Sequence, residues 1–315
     1  MVDGSGLENR RGASPREFES HPLRQSQGSL SAQARLADAA ARLADAQLGR
    51  TRPGSRRRPL LIPLLVAFVL LVVGVVWAGF ASGRVSFGCT FAPADRCLRV
   101  LFVGNSYTST NDLPLVFAQL AASGGWTAET TMVAPGGASL ADHAASETLA
   151  AGIAAGNGRG PWTDVILQEQ SDIPALAANR DALMAPAASI LARRIQLSGA
   201  RTLLLQTWAH RDGLPSAGLD YASMQTAIDA AYRAVARQTG SALVPAGEAW
   251  QRALVAAPSV QLWNEDGSHP SSAGTYLAAC VLYQTLTGAS PVGLGDTGGL
   301  DAATAAVLQR IAAGE

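Results

Sequence analysis

The stretch Cys97–Pro114, CLRVLFVGNSYTSTNDLP, decides how the rest of the chain is read. Its strand-like apolar run, Val100 to Val103, halts at Gly104-Asn105-Ser106, and a helix-like run, LPLVFAQLAA, follows from Leu113. A serine therefore stands where a buried strand turns into a helix. Working outward, the same alternation repeats. The strand-like runs are LRVLFVG, AETTMVA, DVILQEQ, RTLLLQT and SALVPAG. Between them lie the helical runs LPLVFAQLAA, SLADHAASETLAAGIAA, RDALMAPAASILARRIQL and ASMQTAIDAAYRAVARQT, and a last helix, SSAGTYLAACVLYQTLTG, follows the fifth strand. Near-continuous apolar strands alternating with helices predict an α/β domain whose parallel sheet is covered on both faces. Ligands of such sheets gather at the carboxyl ends of the strands, and Ser106 stands at one of those ends.

The 315 residues carry 24 basic and 24 acidic side chains, every basic one an arginine, so no global field argues for a nucleic-acid partner. One segment differs from the rest. From Pro59 to Gly83 there is no charge, and Leu60 to Phe80 as a helix would span about 30 Å, the thickness of a bilayer's hydrocarbon core. Arg56, Arg57 and Arg58 abut its N-terminal end while the other flank offers only Arg84, an asymmetry that keeps the N-terminus cytoplasmic and the C-terminal bulk outside. A cleaved signal peptide is the competing reading. The long basic N-region and the length of the apolar run favour a signal-anchor.

The expected organisation is therefore a cytoplasmic, mostly disordered tail over 1–58, a single transmembrane helix over 59–81, a linker over 82–97 and a folded domain over 98–315. Within the tail, the repeated ARLADAA and ARLADAQ put Leu36 and Leu43 in phase as a short amphipathic helix. In the linker, Cys89 and Cys97 are either two free thiols or a bridge closing a short loop, worth about 2–3 kcal/mol. Cys280 reads as a small buried residue on a helix.

Near the far end stands NEDGSHPSSAG, with Asp266 and His269 in a D-x-x-H-P arrangement before a helix. A serine at its own pKa is a poor nucleophile. It needs an imidazole within hydrogen-bond reach, and the imidazole needs a carboxylate to fix its tautomer. Ser106, His269 and Asp266 are the candidates for those roles.

These two blocks resemble the SGNH/GDSL hydrolase family. VGNSYT is similar to its first block, with Asn105 in place of the more usual aspartate, and DGSHP is similar to its last. The resemblance runs from about Leu98 to Gly288 and implies a flavodoxin-like, three-layer α/β/α fold with a five-stranded parallel sheet. It also implies ester hydrolysis, with Ser106 as nucleophile, His269 as general base and Asp266 as the acid that orients it. The second block is matched by APGGASL, where Gly137 fits the oxyanion-hole glycine better than Gly136. The third usually reads G-x-N-D but here is LQEQSD, so Gln168 replaces the glycine and Gln170 the asparagine, as in variant branches with an LQEQS-like block. The implied oxyanion hole is the Ser106 and Gly137 N–H groups with the Gln170 amide.

Asn105, Trp208 and His210 near strand ends and His143 early in a helix behind the glycine turn are candidate substrate contacts; alternatively Asn105 holds the turn, His143 is a cap or half-buried polar residue, and Trp208 or Trp263 serves the core instead of stacking on a sugar ring. No H-x-H, H-E-x-x-H or C-x-x-C spacing occurs, so neither a catalytic metal nor a cofactor is expected. GNGRG, Gly156 to Gly160, follows no strand and reads as a loop. The sequence thus predicts a membrane-anchored serine ester hydrolase, acting on a small-molecule or glycan ester and favouring acetyl on carbohydrate. The alternative is a catalytically silent domain of the same fold that binds a glycan or a partner.

Overall fold

The computed structural model of the chain describes residues 88–90 and 92–315. The predicted tail over 1–58 and span over 59–81 lie outside the described residues. Among the described residues no helix is long and apolar enough to cross a membrane.

Five strands, β1 (Cys97–Val103), β2 (Thr127–Val133), β3 (Asp164–Leu167), β4 (Arg201–Leu205) and β5 (Ala242–Val244), form one sheet in the order β2-β1-β3-β4-β5. Every neighbouring pair is parallel. All five are the strands expected from the apolar runs. The main α-helices are α1 (Ser106–Ser109), α2 (Leu113–Ser123), α3 (Leu140–Ala145), α4 (Glu147–Ala155), α5 (Ala185–Ser198, entered through a short turn Ala177–Asn179 and a π-helical stretch Arg180–Met184), α6 (Tyr221–Thr239), α7 (Ala246–Ala256), α8 (Ser272–Thr287) and α9 (Ala302–Ala313).

Strand alternation splits the core into two layers. On one face, Val100 and Phe102 of β1, Ile166 of β3 and Leu203 and Leu205 of β4 pack with α2, α7, α8 and α9. On the other, Leu101, Val103, Val165, Leu167 and Leu204 pack with α3, α4, α5 and α6. The result is the expected three-layer α/β/α sandwich. The chain leaves β1 for β2 on one side and then crosses to β3 on the other, so the order reverses between β1 and β3. The crevice at their carboxyl ends is where such sheets take ligands.

The helices differ from those expected in two places. SSAGTYLAACVLYQTLTG is not the last helix, because α9 follows it, and α7 stands between β5 and it. Both carry the helical period: Ala246, Ala249, Trp250 and Ala253 are buried on α7, and Ala305, Leu308, Ile311 and Ala312 on α9. SLADHAASETLAAGIAA is two helices, since the Ser146 backbone closes α3 while its side chain accepts from Leu149 N to open α4. A 3₁₀ turn at Ala94–Arg96 leads into β1 at Cys97.

Cys89 and Cys97 form a disulfide, with Cα atoms 5.4 Å apart, and Cys280 is buried in α8. The bridge ties the incoming chain to the start of β1. Closing so short a loop is worth about 2–3 kcal/mol. Cys89→Ser is therefore expected to lower the melting temperature by about 5–10 °C, read by circular dichroism without reductant.

Candidate active site

After β1, the Gly104 N–H donates to Val133 O at 3.1 Å, extending the ladder one residue before the chain turns. A Cβ on Gly104 would lie 2.5 Å from both Gln168 Oε1 and Thr108 Oγ1, so only glycine fits. Asn105, 3% exposed, caps α1 by accepting the Tyr107 N–H at 3.0 Å. Its Nδ2 donates to Ala138 O at 2.9 Å, linking the nucleophile turn to the glycine turn. An aspartate there would set a carboxylate oxygen against that carbonyl, which explains the amide.

Gln168 is the partner sequence reasoning missed. Its Oε1 accepts the Asn105 N–H at 3.0 Å and the Thr108 hydroxyl at 2.8 Å. Its Nε2 donates to Asn105 Oδ1 at 3.0 Å and to Glu169 O. The buried amide is fully satisfied, and it holds the turn that presents Ser106. His143 Nε2 donates to Gly104 O at 2.7 Å from beneath the same turn.

Ser106 opens α1, so its N–H belongs to the unpaired donors of a helix N-terminus. Its Oγ lies 2.8 Å from His269 Nε2, and His269 Nδ1 lies 2.6 Å from Asp266 Oδ2. Asp266 Oδ1 accepts the N–H groups of Ser268 and His269, both at 2.9 Å. Partial burial pushes the Asp266 carboxyl up, but the Ser268 N–H, the His269 ring and the His269 N–H outweigh it and hold Asp266 below the usual carboxylate range. The three side chains meet although Ser106 and His269 are 163 positions apart.

The loop carrying Asp266 and His269 rests on aromatic rings. Tyr107 stacks on Trp208 at 5.0 Å, and Trp208 on Trp250 at 4.2 Å. Trp208 Nε1 donates to Ser268 O at 3.1 Å, the Tyr107 hydroxyl and Ser268 Oγ are 2.6 Å apart, and the Tyr107 ring meets His269 edge-on at 5.5 Å. Burial pushes the Tyr107 hydroxyl up to about 12, so it stays neutral at working pH. A second tie comes from a strained bend: Asn111 (φ 58) and Asp112 (φ 52) are both left-handed. Asn111 Nδ2 donates to Pro270 O at 2.9 Å and Thr275 Oγ1 at 3.0 Å, fastening the nucleophile segment to the residue after His269.

Burial gives three of the candidate substrate contacts the supporting role that was the alternative reading of each. Asn105 is spent on the turn, His143 is 3% exposed beneath it, and Trp208 is 1% exposed inside the stack. Trp263 is half-buried, donates to Ala209 O at 3.1 Å and meets Trp250 edge-on. His210 remains partly exposed, with Nε2 3.5 Å from Asp172 Oδ1.

The other two expected oxyanion donors, Gly137 and Gln170, lie on two loops. Gly137 is exposed with φ +73, a conformation that favours glycine, and its N–H makes no hydrogen bond among the described residues. Gln170 folds into the following turn: its Oε1 accepts from Asp172 and Ile173 N–H, and its Nε2 donates to Ser171 Oγ at 3.3 Å. The second proton of that amide is left to donate elsewhere.

This three-layer sheet is the SGNH hydrolase fold. A candidate SGNH hydrolase from Slackia heliotrinireducens superposes with a TM-score of 0.52 at 29% identity, covering 60% of this chain and 98% of that one. A DUF4886 family protein from Bacteroides uniformis superposes at 0.59 with 20% identity over 68% of this chain and 93% of its own, which speaks to fold alone. No family model matches the chain, and no curated protein does. The likeness to the Slackia protein supports an SGNH-type hydrolase.

Asn111 separates strain from anchoring. Asn111→Ala loses both hydrogen bonds and places a Cβ residue at φ 58, whereas Asn111→Gly loses the bonds but relieves the backbone. Both variants are expected to lower kcat on p-nitrophenyl acetate by about tenfold, with the glycine variant melting several degrees above the alanine one. Unchanged kcat in both would show that the Pro270 anchor does not govern the triad.

Proposed function

We propose that this chain is a membrane-anchored serine ester hydrolase of the variant SGNH branch marked by its GNS, LQEQS and DGSHP blocks. The observation that carries the reading is the unbroken relay Ser106 Oγ, His269 Nε2, His269 Nδ1 and Asp266 Oδ2, with links of 2.8 and 2.6 Å. His269 takes the Ser106 proton as Oγ attacks the ester carbonyl, and the charge then on the imidazolium is balanced by Asp266. The developing oxyanion is held by the N–H groups of Ser106 and Gly137 and by the Gln170 amide. His269 returns the proton to the leaving alcohol. Water then attacks the acyl-enzyme with His269 again as base, releasing the acid and restoring Ser106.

The substrate reading follows from exposure. The side chains of His269 and Asp266 are 35% and 49% exposed, so the relay sits in an open setting that suits a short acyl group on a bulky, hydroxylated alcohol such as a carbohydrate. What supports the anchor is the uncharged run over 59–83 with Arg56 to Arg58 on its N-terminal flank. An enzyme so held meets esters outside the cytoplasm.

Ser106→Ala is expected to lower turnover of acetyl esters by at least about 10³-fold while the melting curve stays that of the wild type. Acetylated sugars should be cleaved faster than long-chain esters, and the reverse order would overturn the substrate reading. The full chain should remain in the membrane pellet after alkaline carbonate extraction, and its release would overturn the anchor.

A further inference from the structure

We infer that Glu169 is a positioning residue whose single carboxyl oxygen fastens both loops of the oxyanion hole, an inference that rests on the ester-hydrolase reading above. Glu169 lies just past Gln168 beyond the end of β3 and is 0% exposed. Its Oε1 accepts the Leu140 N–H at 3.0 Å and the Gln170 N–H at 2.7 Å. Leu140 opens α3 three residues beyond Gly137, and Gln170 bears the other donor. One atom thus sets the spacing between the chain leaving the glycine turn and the chain carrying the amide.

The glycine turn needs such an anchor. Its internal bond, Ala138 N–H to Pro135 O, is 3.2 Å long, and the Gly137 N–H makes no hydrogen bond among the described residues. Asn105 holds the turn at Ala138 from the β1 side, and Glu169 holds the residue after Ser139 from the β3 side. Oxyanion donors act through fixed placement, so the anchors of the loop govern rate more than binding.

An acid is a costly choice for this place. Burial pushes the Glu169 carboxyl up against the pull of the Leu140 and Gln170 N–H groups, and Oε2 has no hydrogen-bond partner among the described residues. Glu169 belongs to neither link of the Ser106, His269 and Asp266 relay. Its Oε1 bonds are what it contributes, and its own backbone is fixed by the Glu169 N–H donating to Tyr232 Oη at 3.1 Å.

The test is steady-state hydrolysis of p-nitrophenyl acetate by the full-length protein, comparing wild type, Ser106→Ala, Glu169→Ala and Glu169→Gln, each with a melting curve. Glu169→Ala is expected to lower kcat at least about tenfold with KM within about threefold, because the donors are misplaced while the substrate surface is untouched. Glu169→Gln keeps an acceptor oxygen and is expected to stay within about threefold of wild type. If Glu169→Ala does not fold, Glu169→Asp, one methylene shorter, is expected to show the same loss of kcat. Wild-type kcat in the alanine or aspartate variant, or a glutamine variant as slow as the alanine one, would overturn the inference. Wild-type turnover in Ser106→Ala would instead overturn the esterase reading beneath it.

Discussion

Gln168 bonds the nucleophile turn with both ends of its side-chain amide, and much of the surrounding site follows from that one contact. The amide reaches Asn105 twice, once at its backbone N–H and once at its Oδ1. Because it fills the space between β1 and β3, residue 104 has no room for a side chain. Because Oδ1 of Asn105 is taken by donors, its Nδ2 is turned toward the Ala138 carbonyl. The turn, the strand end and the glycine loop are thereby one hydrogen-bonded unit. A buried amide network of this kind rigidifies only when every member is satisfied, and Gln168 is.

The other half of the relay is held by different physics. Asp266 and His269 lie on a short loop, where main-chain bonds to Asp266 fix the carboxylate. The position of that loop against the sheet is set by Tyr107, Trp208 and Trp250, stacked nearly parallel beneath Ser268. Tyr107 follows Ser106 in sequence and touches His269, so the two halves share a residue. The left-handed Asn111 adds a second join at Pro270. Backbone strain is retained where the surroundings over-determine it, and here it lies one helical segment from Ser106.

The five strands were legible because parallel strands buried on both faces read as continuous apolar runs, and Ser106 was legible because it interrupts one. Ser106, His269 and Asp266 were candidates from residue chemistry and from the resemblance of their two blocks to the SGNH/GDSL family, and the fold brings the three side chains together. What the sequence hid was burial of polar side chains. His143 and Trp208 stand at strand or helix ends facing the ligand side, yet a loop packed over them turns both inward. Whether a polar residue at such a place lines a cleft or supports it depends on contacts across long sequence distances, which local patterning does not encode. Gln168 was recognisable as a departure from the G-x-N-D pattern, but its role was not, since it lies in the pairing with Asn105, 63 positions away. The helices α7 and α9 were missed for a simpler reason: small alanines alternate with the larger residues of their buried faces, Trp250 on α7 and Leu308 and Ile311 on α9, which weakens the periodic signal without erasing it.

The central claim is that a carboxylate-oriented imidazole makes one particular hydroxyl reactive toward acyl and phosphonyl centres. Mapping the adduct of a fluorophosphonate by peptide mass spectrometry tests it most directly, with wild type and His269→Ala side by side. A single adduct on Ser106 in the wild type, lost in the histidine variant, is the result this account predicts. A protein that cleaves esters while its adduct falls on another residue, or labels equally without His269, would contradict it.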